Sequence, residues 1–174
     1  KLLVTTGMRN LSFDMEAAKA QGVTVCGTGA AGQPTAELAW AILLGLACQL
    51  PAHDSGMKAG RWQTKLNGDL GGKTLGVLGL GKLGSSVAKV GLAFGMDVIA
   101  WSQNLTDERA AEVGVRRVDK DTLMSQSDYI SIHLILSDRS RGLIGADDLA
   151  RMKSSAYLVN TSRGPIIDED ALLK

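Results

Sequence analysis

Between residues 73 and 174, short apolar runs alternate with longer stretches of helical spacing. Residues 74–78 (TLGVL), 97–101 (DVIAW), 128–133 (DYISIH) and 156–160 (AYLVN) are rich in Val, Ile, Leu and Tyr and read as buried strands. Residues 82–94, 106–113, 120–126 and 146–152 carry the spacing of helices, and Gly95 and Gly114 stand where the first two must stop. Residues 115–118 form a further short strand candidate. Strands alternating with helices predict an α/β fold, a doubly wound parallel sheet covered on both faces.

The earlier part is less regular. Residues 1–6 (KLLVTT) read as a buried strand ending at Gly7, 14–21 as a short helix stopped by Gly22, and 23–26 (VTVC) as a second strand. The glycine-rich turn GTGAAGQP follows. Pro34 suits the first position of a helix and Glu37 its first turn. That helix, 35–49, is apolar almost all round, so it needs cover on every side. A subunit interface is one way to supply it; burial between two domains of one chain is the other. Residues 51–72 are more polar and contain Gly56, Gly60, Gly68, Gly71 and Gly72, which predicts a linker with a short helical turn near 54–58.

Charge narrows the partners. Lys and Arg total 19 against 18 Asp and Glu, so the net charge of +1 gives no basis for a nucleic-acid or membrane-surface partner. Aromatics at 4% argue against base-stacking platforms. Cys26 and Cys48 lack metal-ligand spacing; no metal site is expected, and two free, buried thiols in a reducing compartment are. No signal peptide is visible, and the longest apolar stretch, 38–48, is too short to span a bilayer. A soluble cytoplasmic protein is the expectation. The chain opens inside a strand-like segment and closes inside a helix-like one, so it reads as a piece of something longer.

The chemistry concentrates in two motifs. Residues 77–84 (VLGLGKLG) place Gly79, Gly81 and Gly84 at the spacing G-x-G-x-x-G directly behind a strand and at the head of a helix. A dinucleotide turn needs the first glycine for the bend, the second for close approach of phosphate oxygens, and the third for packing of helix on strand. The helix N-terminus then meets the anion with free N–H groups. The three glycines alone fit a plain tight turn; their strand–turn–helix–strand context favours dinucleotide binding. An acidic residue normally ends the second strand, about 20 residues on, to hold the ribose hydroxyls. Here Ser102 stands there, and Arg109 lies at least a helical turn further on, so NAD is preferred and NADP stays open. The second motif is 160–169 (NTSRGPIIDE). Arg163 follows a parallel strand at its carboxyl end, where such sheets take ligands, and a guanidinium can grip a carboxylate with paired hydrogen bonds. Asp168, Glu169 and Asp170 read as helix-capping and first-turn residues. His133 ends an apolar strand and is a weaker candidate acid, and His53 in the linker a weaker one still.

Together, TTGMRN, GKTLGVLGLGKLG, FGMDVIAWS, SDYISIHL and LVNTSRGPIIDEDAL resemble, over the whole chain, the NAD-dependent D-isomer-specific 2-hydroxyacid dehydrogenases, which include phosphoglycerate dehydrogenase and glyoxylate/hydroxypyruvate reductases. The resemblance implies a Rossmann-type NAD-binding domain at 73–174, truncated at its C-terminus. It implies an interdomain and dimerisation helix with linker at 29–72, and at 1–28 the C-terminal fragment of a flavodoxin-like substrate domain. It implies hydride transfer between NAD(P)H and a small 2-oxo or D-2-hydroxy acid. Arg163 would be the catalytic, substrate-binding arginine, and backbone amides near Thr6, Gly7 and Met8 would help hold the carboxylate. Lys82 and Leu83 would meet the pyrophosphate with the glycines, and Ser102 the adenosine ribose. Residues from His133 to Leu136, with Thr161 and Ser162, would line the nicotinamide side, and helix 35–49 would pair two copies. The sequence departs from the family at Ser102, where Asp is common, and at Ile135, where Pro is common. The family's catalytic Glu and His would lie beyond Lys174, so the 174-residue chain is expected not to turn over. A dinucleotide-sensing, corepressor-like protein on the same fold is the alternative.

Overall fold

The computed structural model describes residues 1–7, 10, 13–29, 33–64 and 66–174. It divides into a small unit, Lys1–Pro34, and a larger one, Thr35–Lys174.

The small unit is a β-α-β piece. Strands β1 (Leu2–Thr5) and β2 (Thr24–Gly27) pair in parallel, and α1 (Met15–Ala20) joins them. Asp14 caps α1 by accepting from the Ala17 amide at 2.8 Å, and Gly22 (φ +62°) makes the left-handed exit. The expected burial of β1 does not hold: Leu2, Leu3 and Val4 are exposed, because two strands and a six-residue helix offer too little surface to cover them. Cys26 is likewise exposed and Cys48 half-buried, both free, so the expectation of two buried thiols is corrected.

The larger unit begins with α2 (Pro34–Ala47) and α3 (Leu50–Lys58). Instead of running to residue 49, the first helix stops at Ala47, because Gln49 adopts a left-handed conformation (φ 49°). The next helix, of nine residues, starts with proline in its first turn and extends the helical turn expected near 54–58 back to the head of the linker. One face of α2, through Ala36, Ala39, Trp40, Leu43 and Ala47, is buried. Trp40 fixes the docking: its indole N–H donates to the Val87 carbonyl at 3.1 Å, and its ring lies 5.1 Å from that of Phe94. The opposite face keeps Leu38 (54% exposed) and Ile42 (37%) in solvent, so the helix is not covered on all sides.

Five parallel strands form the sheet: β3 (Thr74–Leu78), β4 (Asp97–Trp101), β5 (Arg116–Arg117), β6 (Tyr129–Ile132) and β7 (Tyr157–Asn160), in the order β5-β4-β3-β6-β7. β5 is shorter than the stretch 115–118 expected from the sequence. Between the strands run α4 (Lys82–Ala93), α5 (Asp107–Val113), α6 (Lys120–Gln126) and α7 (Ala146–Arg151), followed by a short helix α8 (Glu169–Leu172). Alternate strand residues feed two cores. Leu75, Val77, Val98 and Ala100 pack with Val87 and Ala88 of α4, Ala110 and Val113 of α5, and the buried face of α2. Leu78, Ile99, Ile130 and Ile132 pack with Leu123 and Met124 of α6 and with Ile144 and Ile166. Burial on both faces explains why these strands read as continuous apolar runs rather than alternating ones. Gly76 allows α6 to seat closely, since a Cβ there would strike the Ser127 hydroxyl and lie 2.8 Å from a Leu123 methyl. On the α6 and α7 side, the buried carboxylate of Asp148 is neutralised by Lys120 at 2.8 Å and accepts from the Gly145 amide at 3.0 Å.

Candidate functional site

The turn after β3 lies where the sheet switches direction, with β4 on one side of β3 and β6 on the other. Open parallel sheets take ligands in the crevice outside the carboxyl ends of the strands at such a point. Three glycines shape this one differently. Gly79 has φ +98°, and a Cβ on it would come within 2.7 Å of the His133 carbonyl oxygen. Its N–H donates to Trp101 O at 2.8 Å, while the His133 N–H donates to Leu78 O at 2.7 Å, which ties the ends of β4, β3 and β6 into one rim. Gly84 abuts the turn: a Cβ there would collide with the Gly79 carbonyl oxygen and lie 3.2 Å from Val77 Cγ1. At Gly81, by contrast, φ is −76° and a Cβ would meet nothing within 4 Å. Open space therefore fronts the N-terminus of α4, where the amides of Lys82, Leu83 and Gly84 lack intrahelical acceptors and no side chain caps them. That space and those donors fit a phosphate.

The space opens into a cleft of about 400 Å³. One wall is the glycine turn, a second is Ser102, Gln103 and Asn104 past β4, and a third is the loop after β6, including His133, Leu134 and Ile135. His133 Nε2 lies 2.8 Å from Ser131 Oγ, while its Nδ1 is buried with no partner among the described residues. Burial pushes its pKa down to about 4, so the ring is neutral at pH 7. His133 thus shares a cleft with Ser102, on the side assigned to the adenosine ribose. Leu136 does not line this cleft.

Arg163 stands past the end of β7 in a turn that Asn160 builds. The Asn160 side chain accepts from the Ser162 amide at 2.9 Å and donates to the Arg163 carbonyl at 2.9 Å. Ser162 Oγ donates to Ile132 O at 2.9 Å, which pins the turn to the end of β6. The Arg163 side chain is exposed; it donates once, to Ser162 O at 2.8 Å, and its other N–H groups have no partner among the described residues. The neighbouring Thr161 hydroxyl is buried and likewise unpartnered there. β6 alone separates β3 from β7, so the glycine turn and the arginine turn lie at the same sheet edge, two strand spacings or roughly 10 Å apart. Asp168 caps α8 by accepting from the Ala171 amide at 3.2 Å, the structural role its position in the sequence implies.

In the small unit, Thr6 and Gly7 follow β1, and Met8 lies outside the described residues. The Gly7 amide already donates to Thr28 Oγ1 at 3.1 Å. Two groups at the larger unit's site were missed from the sequence. Asn160 could have been found, because Asn two residues before Ser favours an Asx turn. Arg139, in the loop after β6, gives no local signal; only the folded loop brings it to the cleft.

A parallel sheet with a phosphate-sized opening at its switch point defines a doubly wound dinucleotide-binding domain. Residues 40–174 match the NAD-binding domain of the D-isomer specific 2-hydroxyacid dehydrogenases, and the chain belongs to that family. It is 39% identical to hydroxypyruvate reductase of Thermotoga maritima over 99% of this chain and 56% of that protein. Its fold is similar to that of phosphoglycerate oxidoreductase from Vibrio cholerae (TM-score 0.93, 34% identity, 99% of this chain and 56% of that one). It is also similar to D-lactate dehydrogenase from Aquifex aeolicus, solved with NAD and lactic acid (TM-score 0.83, 32% identity, 99% and 53%). The chain spans about half the length of these relatives. No single helix among the described residues is long and apolar enough to cross a membrane.

Proposed function

We propose that this chain is the cofactor-binding part of an oxidoreductase that interconverts a small 2-oxo acid and its D-2-hydroxy acid. One observation carries the reading: the open glycine turn and the exposed guanidinium of Arg163, with N–H groups free beyond its one bond to Ser162 O among the described residues, lie at one sheet edge, joined through the end of β6. The amides of Lys82 and Leu83, with Gly81 leaving room and Gly79 making the bend, hold the dinucleotide's pyrophosphate. Ser102 and the cleft side of His133 take the adenosine end, and the buried Thr161 hydroxyl and Ser162 face the nicotinamide end. When bound, the nicotinamide supplies or accepts a hydride. Arg163 anchors the substrate carboxylate and polarises the keto oxygen, and Asn160 fixes the backbone that carries it. His133, neutral and bonded to Ser131, is a poor proton donor at neutral pH, so we assign that role outside this chain. The exposed stripe of Leu38 and Ile42 on α2 supports a homodimer through that helix, and the two free cysteines fit the reducing cytoplasm.

The test is turnover by the full-length protein with NADH or NADPH and a panel of 2-oxo acids. Oxidation of the cofactor is expected with at least one acid, and Arg163→Gln should lower kcat/KM by about 100-fold or more, as loss of an oxyanion-type donor does. Tight cofactor binding with no turnover of any 2-oxo acid would overturn the proposal.

A further inference from the structure

The lining of the cleft outside the glycine turn has an unusual charge pattern for a site that holds unmodified ribose hydroxyls. Ser102, Gln103 and Asn104 past β4 are all neutral, and no carboxylate lines the cleft among the described residues. Among its described lining residues Arg139 carries the one charged side chain. Arg139 is exposed and makes no hydrogen bond or ion pair among the described residues, unlike Arg109, which is engaged by Glu112 at 2.7 Å. A tight turn fixes its position. Ser140 is buried, accepts from the Ser137 amide at 2.8 Å and donates to the Ile135 carbonyl at 2.6 Å, and the Arg141 amide donates to Ser137 O at 3.0 Å. The backbone of Arg139 is thus held between two anchored serines.

From this we propose that the cleft selects the 2′-phosphorylated dinucleotide, NADP(H), over NAD(H), with Arg139 as the specificity-determining cation. The inference rests on the proposed function and deepens it. An aspartate or glutamate at the end of the second strand would pair with free ribose hydroxyls and repel a 2′-phosphate. Ser102 repels nothing, and its hydroxyl with the Gln103 and Asn104 amides offers hydrogen-bond donors to phosphate oxygens. A guanidinium matches a phosphate with parallel, charge-assisted N–H donors, whereas to a neutral hydroxyl it offers only a single weaker hydrogen bond. The same cleft therefore binds both cofactors through its glycine turn and separates them at the ribose.

The experiment is direct binding by the 174-residue chain. Tryptophan fluorescence follows titration with NADH and with NADPH, and 2′,5′-ADP and 5′-ADP are compared as competitors. NADPH is expected to bind about tenfold more tightly than NADH, the size of one charge-assisted contact at an exposed site. That preference should shrink as salt rises, and 2′,5′-ADP should be the stronger competitor. Arg139→Gln should bring the NADPH/NADH ratio close to one, and Arg139→Glu should invert it. Ser140→Ala, which loosens the turn without changing charge, should lower the ratio part of the way. Equal or weaker binding of NADPH than NADH by the unmodified chain would overturn the proposal, and an undiminished preference in Arg139→Gln would overturn the role of Arg139. Failure to bind either dinucleotide would instead remove the proposed function on which it rests.

Discussion

Gly84→Ala sets two local effects against each other. Gly84 lies inside α4, where alanine is favoured over glycine by about 1 kcal/mol on helix propensity alone. Tertiary packing points the other way. An alanine Cβ would run into the carbonyl oxygen of Gly79, stand 3.0 Å from its carbonyl carbon and 3.2 Å from Val77 Cγ1. Two of these atoms belong to a turn whose own position is held by Gly79 N–H to Trp101 O, so neither can rotate out of the way as a side-chain tip could. Forcing one methyl into such a contact costs about 3 kcal/mol, the upper end of the usual overpacking range. Packing outweighs propensity by about 2 kcal/mol. For a chain of 174 residues, that lowers Tm by roughly 4–8 °C. Thermal unfolding followed by circular dichroism measures it. An unchanged or raised Tm would refute the reasoning, because α4 and the turn would then not be in the close contact on which the phosphate opening depends.

Gly81→Val probes the opening itself. A Cβ there meets no protein atom within 4 Å, so the variant should fold, losing about 1 kcal/mol as a poorer N-cap, while NADH affinity falls by about 100-fold as the phosphate loses its place. Retained affinity in a fluorescence titration would count against the cradle. His133 gives a pH prediction. Its folded pKa of about 4 lies below the ordinary value of 6.5, so the unfolded chain binds more protons between those values. This contribution is fully present above pH 6.5 and lost as pH falls toward 4, by no more than about 3 kcal/mol. His133→Gln should flatten urea-derived stability across that window, and an unchanged slope would contradict the burial of the neutral ring. Asn160→Ala removes the clamp on the Arg163 turn. In the full-length protein, losing both hydrogen bonds that hold the turn should cut kcat/KM by about tenfold or more, with NADH binding held; loss of turnover and NADH binding together would mean a wider collapse. Leu38→Glu with Ile42→Glu should convert the proposed dimer to a monomer in light scattering, and an unchanged mass would count against the α2 interface.

Much of the larger unit was legible because its signals are local. The strands 74–78 and 97–101 and the helix at 120–126 end where the sequence places their boundaries, since Thr74, Asp97 and Lys120 each follow a turn or cap residue. The glycine turn was legible from the same kind of punctuation. Long-range facts were not. The exposed face of α2 cannot be told from its buried one by composition, because both are apolar; only Trp40 reaching Val87 decides which way the helix turns. Of helix α3 only the turn near 54–58 was legible; its first half was masked by proline and histidine in a polar stretch, and its start depends on the left-handed Gln49. The exposure of β1 reflects how little of the small unit surrounds it. Arg139 was invisible because its place at the cleft depends on Ser140 reaching back to Ile135, five residues earlier in the chain.

The account rests most on a phosphate cradle and a carboxylate-binding arginine sharing one sheet edge. Nuclear magnetic resonance of the isotope-labelled chain tests this directly, with NADH added first and glyoxylate second. NADH should shift the amides of Gly79, Gly81, Lys82 and Leu83 together with Ser102 and His133, and glyoxylate should then shift Arg163 Nε. Saturable NADH binding that leaves the glycine-turn amides unmoved, or a glyoxylate response with Arg163 untouched, would contradict it.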